Sequence, residues 1–207
     1  MRALTDTLAQ QLAALSLLEA TAVLLAIAYL LLAIRQNIWC WLCAGLSTAI
    51  YVYLFIEARL YMESLLNAFY FGMAVYGWHA WRRGGERGST LPVTAWPVLR
   101  HTAAIGAILA SAAVSGFLLA RYSDAALPYV DSLTTFAAMW ATLLVARKVL
   151  ENWWYWLVID AASAVIYWLR DLPLTALLFV GYCVLIPFGF ISWRRSLLED
   201  RAAAAKP

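Results

Sequence analysis

The chain has 207 residues, 65% of them apolar and 13% charged, with a formal net charge of +3. A soluble domain is roughly 45–50% apolar and about 25% charged, so this chain has more apolar surface than a particle of its size can hide. That excludes a soluble cytosolic enzyme, a nucleic-acid-binding domain and a disordered regulator. The mean hydropathy of +0.75 and the long uncharged blocks point instead to membrane spans.

Seven apolar blocks follow one another, each near the roughly 20 residues that a spanning helix needs. Residues 1–16 are polar and Ala-rich and read as an N-terminal tail, with no separate signal peptide. The first span, 17–34, ends at Arg35-Gln36-Asn37. The second, 38–56, ends at Glu57-Ala58-Arg59. The third, 61–81, runs into the polar loop Arg82–Thr90. A fourth covers 97–119. The fifth, 127–146, opens at Pro128 and closes at Arg147-Lys148. The sixth, 153–169, is closed by Arg170-Asp171. The seventh, 173–193, holds Pro187, which should kink it, and residues 194–207 form a tail.

Lys and Arg fall unevenly between the loops. Arg2, Arg59, Arg121 and Arg170 belong to one side. Arg35, Arg82, Arg83, Arg87, Arg100, Arg147, Lys148, Arg194, Arg195, Arg201 and Lys206 belong to the other. The positive-inside rule then puts the N-terminus outside and the C-terminus in the cytoplasm. Trp39, Trp41, Trp153 and Trp154 sit at span ends and read as interfacial anchors. His79 and His101, at cytoplasmic helix ends, read as solvated. Cys40 and Cys43 form a C-x-x-C inside an apolar run, without the context of a redox motif or the further ligands of a zinc site. They read as small packing residues, and neither a metal nor a cofactor is expected.

The chain also repeats itself. Asn37-Ile-Trp-Cys-Trp-Leu reads against Asn152-Trp-Trp-Tyr-Trp-Leu at an offset of 115. Leu65–Tyr70 reads against Leu177–Tyr182, and Tyr76–Arg83 against Phe188–Arg195, both at 112. The chain therefore divides into a tail (1–16), a three-helix unit (17–81), a cytoplasmic loop with a linker helix (82–126), a second three-helix unit (127–193) and a cytoplasmic tail (194–207). Equivalent helices point the same way. Parallel repeats of this kind are a transporter architecture with a substrate site at the repeat interface. A duplicated scaffold or receptor that moves nothing is the alternative from a different class.

Ionisable groups at membrane depth are functional candidates by default. Asp160 is the deepest carboxylate, and Trp156, Asp160, Ser163 and Tyr167 share one helical face. The third span carries the stripe Glu63, Asn67, Tyr70, Ala74, Gly77 and Trp81. The seventh carries Thr175, Phe179, Tyr182, Ile186, Gly189 and Trp193. The fifth adds Asp131, Thr135, Ala138 and Thr142, with Trp140 nearby. Gly72, Gly77 and Ala74 read as close-approach residues. Aromatic faces stack on a flat ring and attract a cation, Asn67 donates and accepts hydrogen bonds, and Asp160 and Glu63 balance positive charge. The implied ligand is small, aromatic, polar and cationic. No ATP-binding loop, zincin motif or nucleophile elbow is present, so an enzyme is disfavoured.

The pieces QNIWCW, LYMESLLNAFYFGMAVYGWHAW, DSLTTFAAMW, ARKVLENWWYWLVID, LTALLFVGY and GFISWRRSL, spread in order from about residue 17 to 198, resemble the Pnu family of bacterial vitamin transporters. The resemblance implies an all-α integral membrane protein: a seven-helix 3+1+3 bundle like that of the SWEET proteins, assembled as a homotrimer in the bacterial inner membrane. It implies uptake of a vitamin by facilitated diffusion, trapped by a cytosolic kinase. Nicotinamide riboside is the leading substrate, and thiamine or another vitamin of the family is the alternative. The proposed ligand contacts are Glu63, Asn67, Tyr70, Thr135, Trp140, Trp156, Asp160, Ser163 and Tyr182. Asn67 stands where Gln is frequent in the family, and Met139 where a polar residue can occur.

Overall fold

The computed structural model describes residues 2–59, 61–84, 91–123 and 127–204. The elements are α1 (Arg2–Ala14), α2 (Leu17–Ile34), α3 (Trp39–Glu57), α4 (Tyr61–Arg83), α5 (Val98–Tyr122), α6 (Pro128–Ala146), α7 (Asn152–Leu169) and α8 (Pro173–Ala204). Most of the polar loop (85–90), the α5–α6 connection (124–126) and the last three residues, including Arg87 and Lys206, lie outside the described residues. Among the described residues five helices, α2, α3, α5, α6 and α8, are long and apolar enough to cross a membrane. Glu63, Asn67 and a terminal Arg pair dilute α4, and Asp160 with six Trp and Tyr residues dilutes α7.

Each of the seven apolar blocks is a helix, α2 to α8, within a few residues of the expected ends. Two differences stand out. Residues 2–14, read as a tail, form α1, because the segment is rich in Ala, Leu and Gln, which favour helix. Gln11 ties α1 to the start of α8: its Oε1 accepts from Leu174 N at 3.1 Å and its Nε2 donates to Asp171 O at 3.3 Å. Ser16 then opens α2 with a capping box closed by Glu19. The second difference is α8, which continues from the expected end at 193 to Ala204. Its extension is Ala- and Leu-rich, and Arg195 pairs with Glu199 one turn on at 2.8 Å.

Four turns end on a residue in the left-handed region: Gln36 (φ 54°), Arg59 (φ 60°), Lys148 (φ 49°) and Asp171 (φ 57°). At Gln36 and Lys148 the next amide reaches back to close a Schellman pair, Asn37 N to Leu32 O and Val149 N to Leu144 O, both at 2.9 Å. Gln36 and Lys148 are 112 residues apart, and Arg59 and Asp171 keep the same spacing.

That spacing governs the core as well. The Trp41 ring lies over Gly77, and the Trp153 ring lies over Gly189; a Cβ on either glycine would collide with the indole. Trp41 meets Trp81 edge-on at 5.5 Å and 86°, and Trp153 meets Trp193 at 5.4 Å and 87°. Trp81 and Trp193 touch each other at 6.0 Å. Trp81 Nε1 donates to Val145 O at 3.2 Å, and Trp193 Nε1 donates to Ala33 O at 2.9 Å. Each indole thus serves a last-turn carbonyl in the other half, of the kind a helix end leaves without a full intrahelical set. The ends of α2, α4 and α6 and the middle of α8 meet in this one cluster.

Trp41 and Trp153 are each only 3% exposed, so they are core residues and not interfacial anchors; Trp39 and Trp154 remain exposed, at 55% and 54%. The matching environments also fix Trp41 opposite Trp153. The offset is 112 there too, not 115, so the position equivalent to Asp160 is Thr48. Gly77 is the close-approach residue expected, whereas a Cβ at Gly72 would meet nothing within 4 Å.

Candidate functional site

Asp160 lies on α7 between the Trp cluster and the far end of the bundle. It is 5% exposed, and it makes no hydrogen bond or ion pair among the described residues. Burying a carboxylate without a partner is costly, and more so at membrane depth. Tyr182 and Cys183 of α8 lie within its electrostatic reach, and Tyr51 of α3 lies within that of Tyr182. Tyr182 meets Phe179 edge-on at 5.7 Å, and Phe179 stacks on Tyr167 at 5.4 Å and 13°. An aromatic row therefore runs along α7 and α8 beside the carboxylate.

Tyr70 and Trp156 pack against a small cluster of Ala138 and Ala141 of α6 and Ile159 of α7. Tyr70 is also within reach of Tyr29 on α2, which itself meets Trp41 at 6.0 Å. Glu63 is exposed, and with Asp131 it lies within reach of the Tyr167 hydroxyl, so the two carboxylates mark the end of the bundle away from the Trp cluster. Asn67 is half-buried, and its Nδ2 donates to Glu63 O at 2.9 Å, which leaves its amide oxygen uncommitted. Thr135 and Ser163 are half-buried. Thr135 shares the α6 face of Ala138, and Ser163 shares the α7 face of Asp160.

Trp140 is the sequence-derived contact that the structure moves elsewhere. Two residues beyond Ala138 is about 200° round a helix, so its indole points to α5 and the 91–97 segment. It meets Trp96 edge-on at 6.0 Å, and its Nε1 is buried with no hydrogen bond of ordinary geometry. His101 belongs to the same neighbourhood and is not solvated. Its side chain is 13% exposed, its Nδ1 lies 3.1 Å from the Tyr155 hydroxyl, and its Nε2 lies 3.7 Å from Glu151.

The residue that sequence reasoning missed is Lys148. It is 5% exposed. Its Nζ donates to Gln36 Oε1 at 3.2 Å and lies 4.6 Å from the centre of the Trp81 ring, while Gln36 Nε2 donates to Ser196 Oγ at 2.8 Å. A Lys in a charged turn gives no sequence signal of burial; its 112-residue relation to Gln36 was the available clue. Burial pushes the ammonium down from 10.5 to about 8, against the opposing pull of Cys40 and Asp200. The unfolded chain therefore holds one proton more between about pH 8 and 10.5, and stability rises with pH across that window. Lys148→Met removes the effect. Thermal unfolding in detergent should show the wild type gaining on the variant from pH 8 to 10, by up to about 3 kcal/mol; parallel curves would refute the burial.

The family model described as nicotinamide mononucleotide transporter matches residues 16–195. The chain belongs to that family. It is 23% identical over 184 residues to the nicotinamide riboside transporter PnuC of Escherichia coli (strain K12), covering 77% of each chain. It is 25% identical over 169 residues to the riboflavin/roseoflavin transporter RibM of Streptomyces davaonensis, covering 79% of this chain and 78% of that one. Its fold is that of a solved vitamin B3 transporter PnuC, with a TM-score of 0.70 at 22% identity over 88% of this chain and 82% of the other. The family is one of membrane transporters and not of enzymes, and the chain is a multi-pass membrane protein.

Proposed function

We propose that the chain takes up a small aromatic, cationic vitamin, with nicotinamide riboside as the leading substrate. The observation that carries this reading is Asp160: a buried carboxylate with no partner among the described residues, with Tyr182 in electrostatic reach and Trp156 one turn before it on α7, is a seat for a flat cation. The transporters of nicotinamide riboside and riboflavin among its relatives support a vitamin of this size. Glu63 and Asp131 would draw the cation in at the far end. Asn67, Thr135 and Ser163 would serve its sugar or amide, and Trp140 has only a supporting role from the α5 side.

The organisation proposed is 3+1+3, with α2–α4 and α6–α8 as parallel copies and α5 as linker, α4 and α7 also crossing the bilayer. The paired left-handed turns, Trp-over-Gly contacts and exchanged indole bonds, all 112 residues apart, support it. Rocking of one copy against the other would alternate access. The Trp cluster would then be the closed end, and the basic residues Arg35, Arg82, Arg83, Arg147, Arg194 and Arg195 at that end support a cytoplasmic position for it, with the N-terminus outside. A homotrimer in the bacterial inner membrane and trapping by a cytosolic kinase complete the proposal.

Proteoliposomes test it. Vesicles loaded with nicotinamide riboside kinase and ATP should accumulate labelled nicotinamide riboside, with thiamine and riboflavin as competitors that rank the substrate. Binding without accumulation would leave a receptor and overturn transport. Competition by thiamine at lower concentration than nicotinamide riboside would shift the substrate within the same site.

A further inference from the structure

A cavity lies at the basic end of the bundle, and Asp160 is not among its lining residues. It has a volume of about 470 Å³, inside the range of small-molecule sites. One wall is the last two turns of α4, where Tyr76, His79 and Arg83 share a face. The floor is Leu91 and Thr94, and Arg147 closes the far side. The walls are firmly tied. Thr94 N donates to Lys148 O at 2.9 Å, and Leu150 N donates to Thr94 O at 2.8 Å. Trp96 N donates to Glu151 Oε2 at 3.2 Å.

Charge is the feature that sets this cavity apart. Arg83, Arg147 and His79 are among its lining residues, and among the described residues no Asp or Glu lines it. Neither Arg83 nor Arg147 makes an ion pair or a side-chain hydrogen bond among the described residues; the ion pairs found are His101–Glu151 and Arg195–Glu199. Two arginines that line one open cavity and make no ion pair among the described residues suit a tetrahedral oxyanion, which accepts several forked N–H donors at once. The transport reading does not use this cavity.

We propose that this cavity binds a phosphate ester. The phosphate sits between Arg83 and Arg147 with His79 as a third donor, and the organic part lies against Tyr76 and Leu91. Two sources supply that chemistry at a membrane surface: a soluble phosphomonoester and the headgroup of an anionic lipid.

The experiment uses the full chain in phosphatidylcholine nanodiscs, titrated calorimetrically with adenosine monophosphate and, separately, adenosine. The expected result is binding of the phosphate ester and none of adenosine. Arg83→Gln with Arg147→Gln should weaken that binding at least about tenfold, since both lost contacts are charge-assisted. Each single variant keeps one guanidinium and should give an intermediate loss, which covers the case of a double variant that unfolds. Nanodiscs containing one third phosphatidylglycerol distinguish the sources. If the lipid suppresses adenosine monophosphate binding and raises the unfolding temperature of the wild type but not of the variants, the headgroup occupies the cavity. If binding is unchanged there, the soluble ester does. Either result supports the site. Absence of any effect of both probes, or effects that persist in the arginine variants, would overturn it.

Discussion

Asp160→Asn is expected to weaken a cationic vitamin about 10- to 100-fold while leaving the fold as stable as before or more so. The two effects share one cause. The carboxylate is 5% exposed and has no partner among the described residues, so in the empty protein its charge is a cost, and Asn of the same shape relieves it. With the ligand bound the same charge faces a cation, and a charged contact of this kind contributes about 1.5–3 kcal/mol. A neutral competitor such as riboflavin should bind the variant and the wild type alike. Binding of nicotinamide riboside or thiamine to the purified protein, read beside its unfolding temperature, checks both halves. Equal affinity in the variant would remove Asp160 from the site, whereas a loss shared with riboflavin would mean that the substitution had disturbed the pocket and not its charge.

Gly77→Ala and Gly189→Ala are each expected to destabilise the protein by about 1–3 kcal/mol, the range for overpacking a filled core. The added methyl at either position would run into an indole, Trp41 in one case and Trp153 in the other. Both rings are held edge-on by a further Trp, at 5.5 and 5.4 Å, and cannot simply turn aside. The losses should be nearly equal, because the two environments repeat. Gly72→Ala and Gly181→Ala are the controls, since nothing lies within 4 Å of a Cβ there; helix propensity alone should make them neutral to slightly stabilising. Unfolding temperatures in detergent settle the pattern. A large loss at Gly77 with none at Gly189 would break the equivalence of the two halves.

The helices were legible in the sequence because apolar blocks and their charged interruptions are strong local signals. The breaks between α2 and α3, α3 and α4, α6 and α7, and α7 and α8 fall at Arg35-Gln36, Arg59, Arg147-Lys148 and Arg170-Asp171. Burial was less legible. Trp41 and Trp153 sit at block ends, where an indole is equally at home in an interface or over a glycine, and only the distant Gly77 and Gly189 decide between them. Lys148 was hidden for the same reason, since the Gln36 and Trp81 that surround it are far off in sequence. Asp160 stood out because an isolated carboxylate in an apolar block has few structural uses. Trp140 was misplaced by proximity in sequence: two residues along a helix is the opposite face.

The exchanged indole bonds set an order on synthesis. Residues 17–83 leave the ribosome with the Trp81 donor lacking Val145 and the Ala33 carbonyl lacking Trp193. These two bonds form only after the second half of the chain has been made, the last of them when α8 arrives. Helices α2 to α4 therefore wait in the membrane with an unfinished core, which closes only once Trp193 has been made.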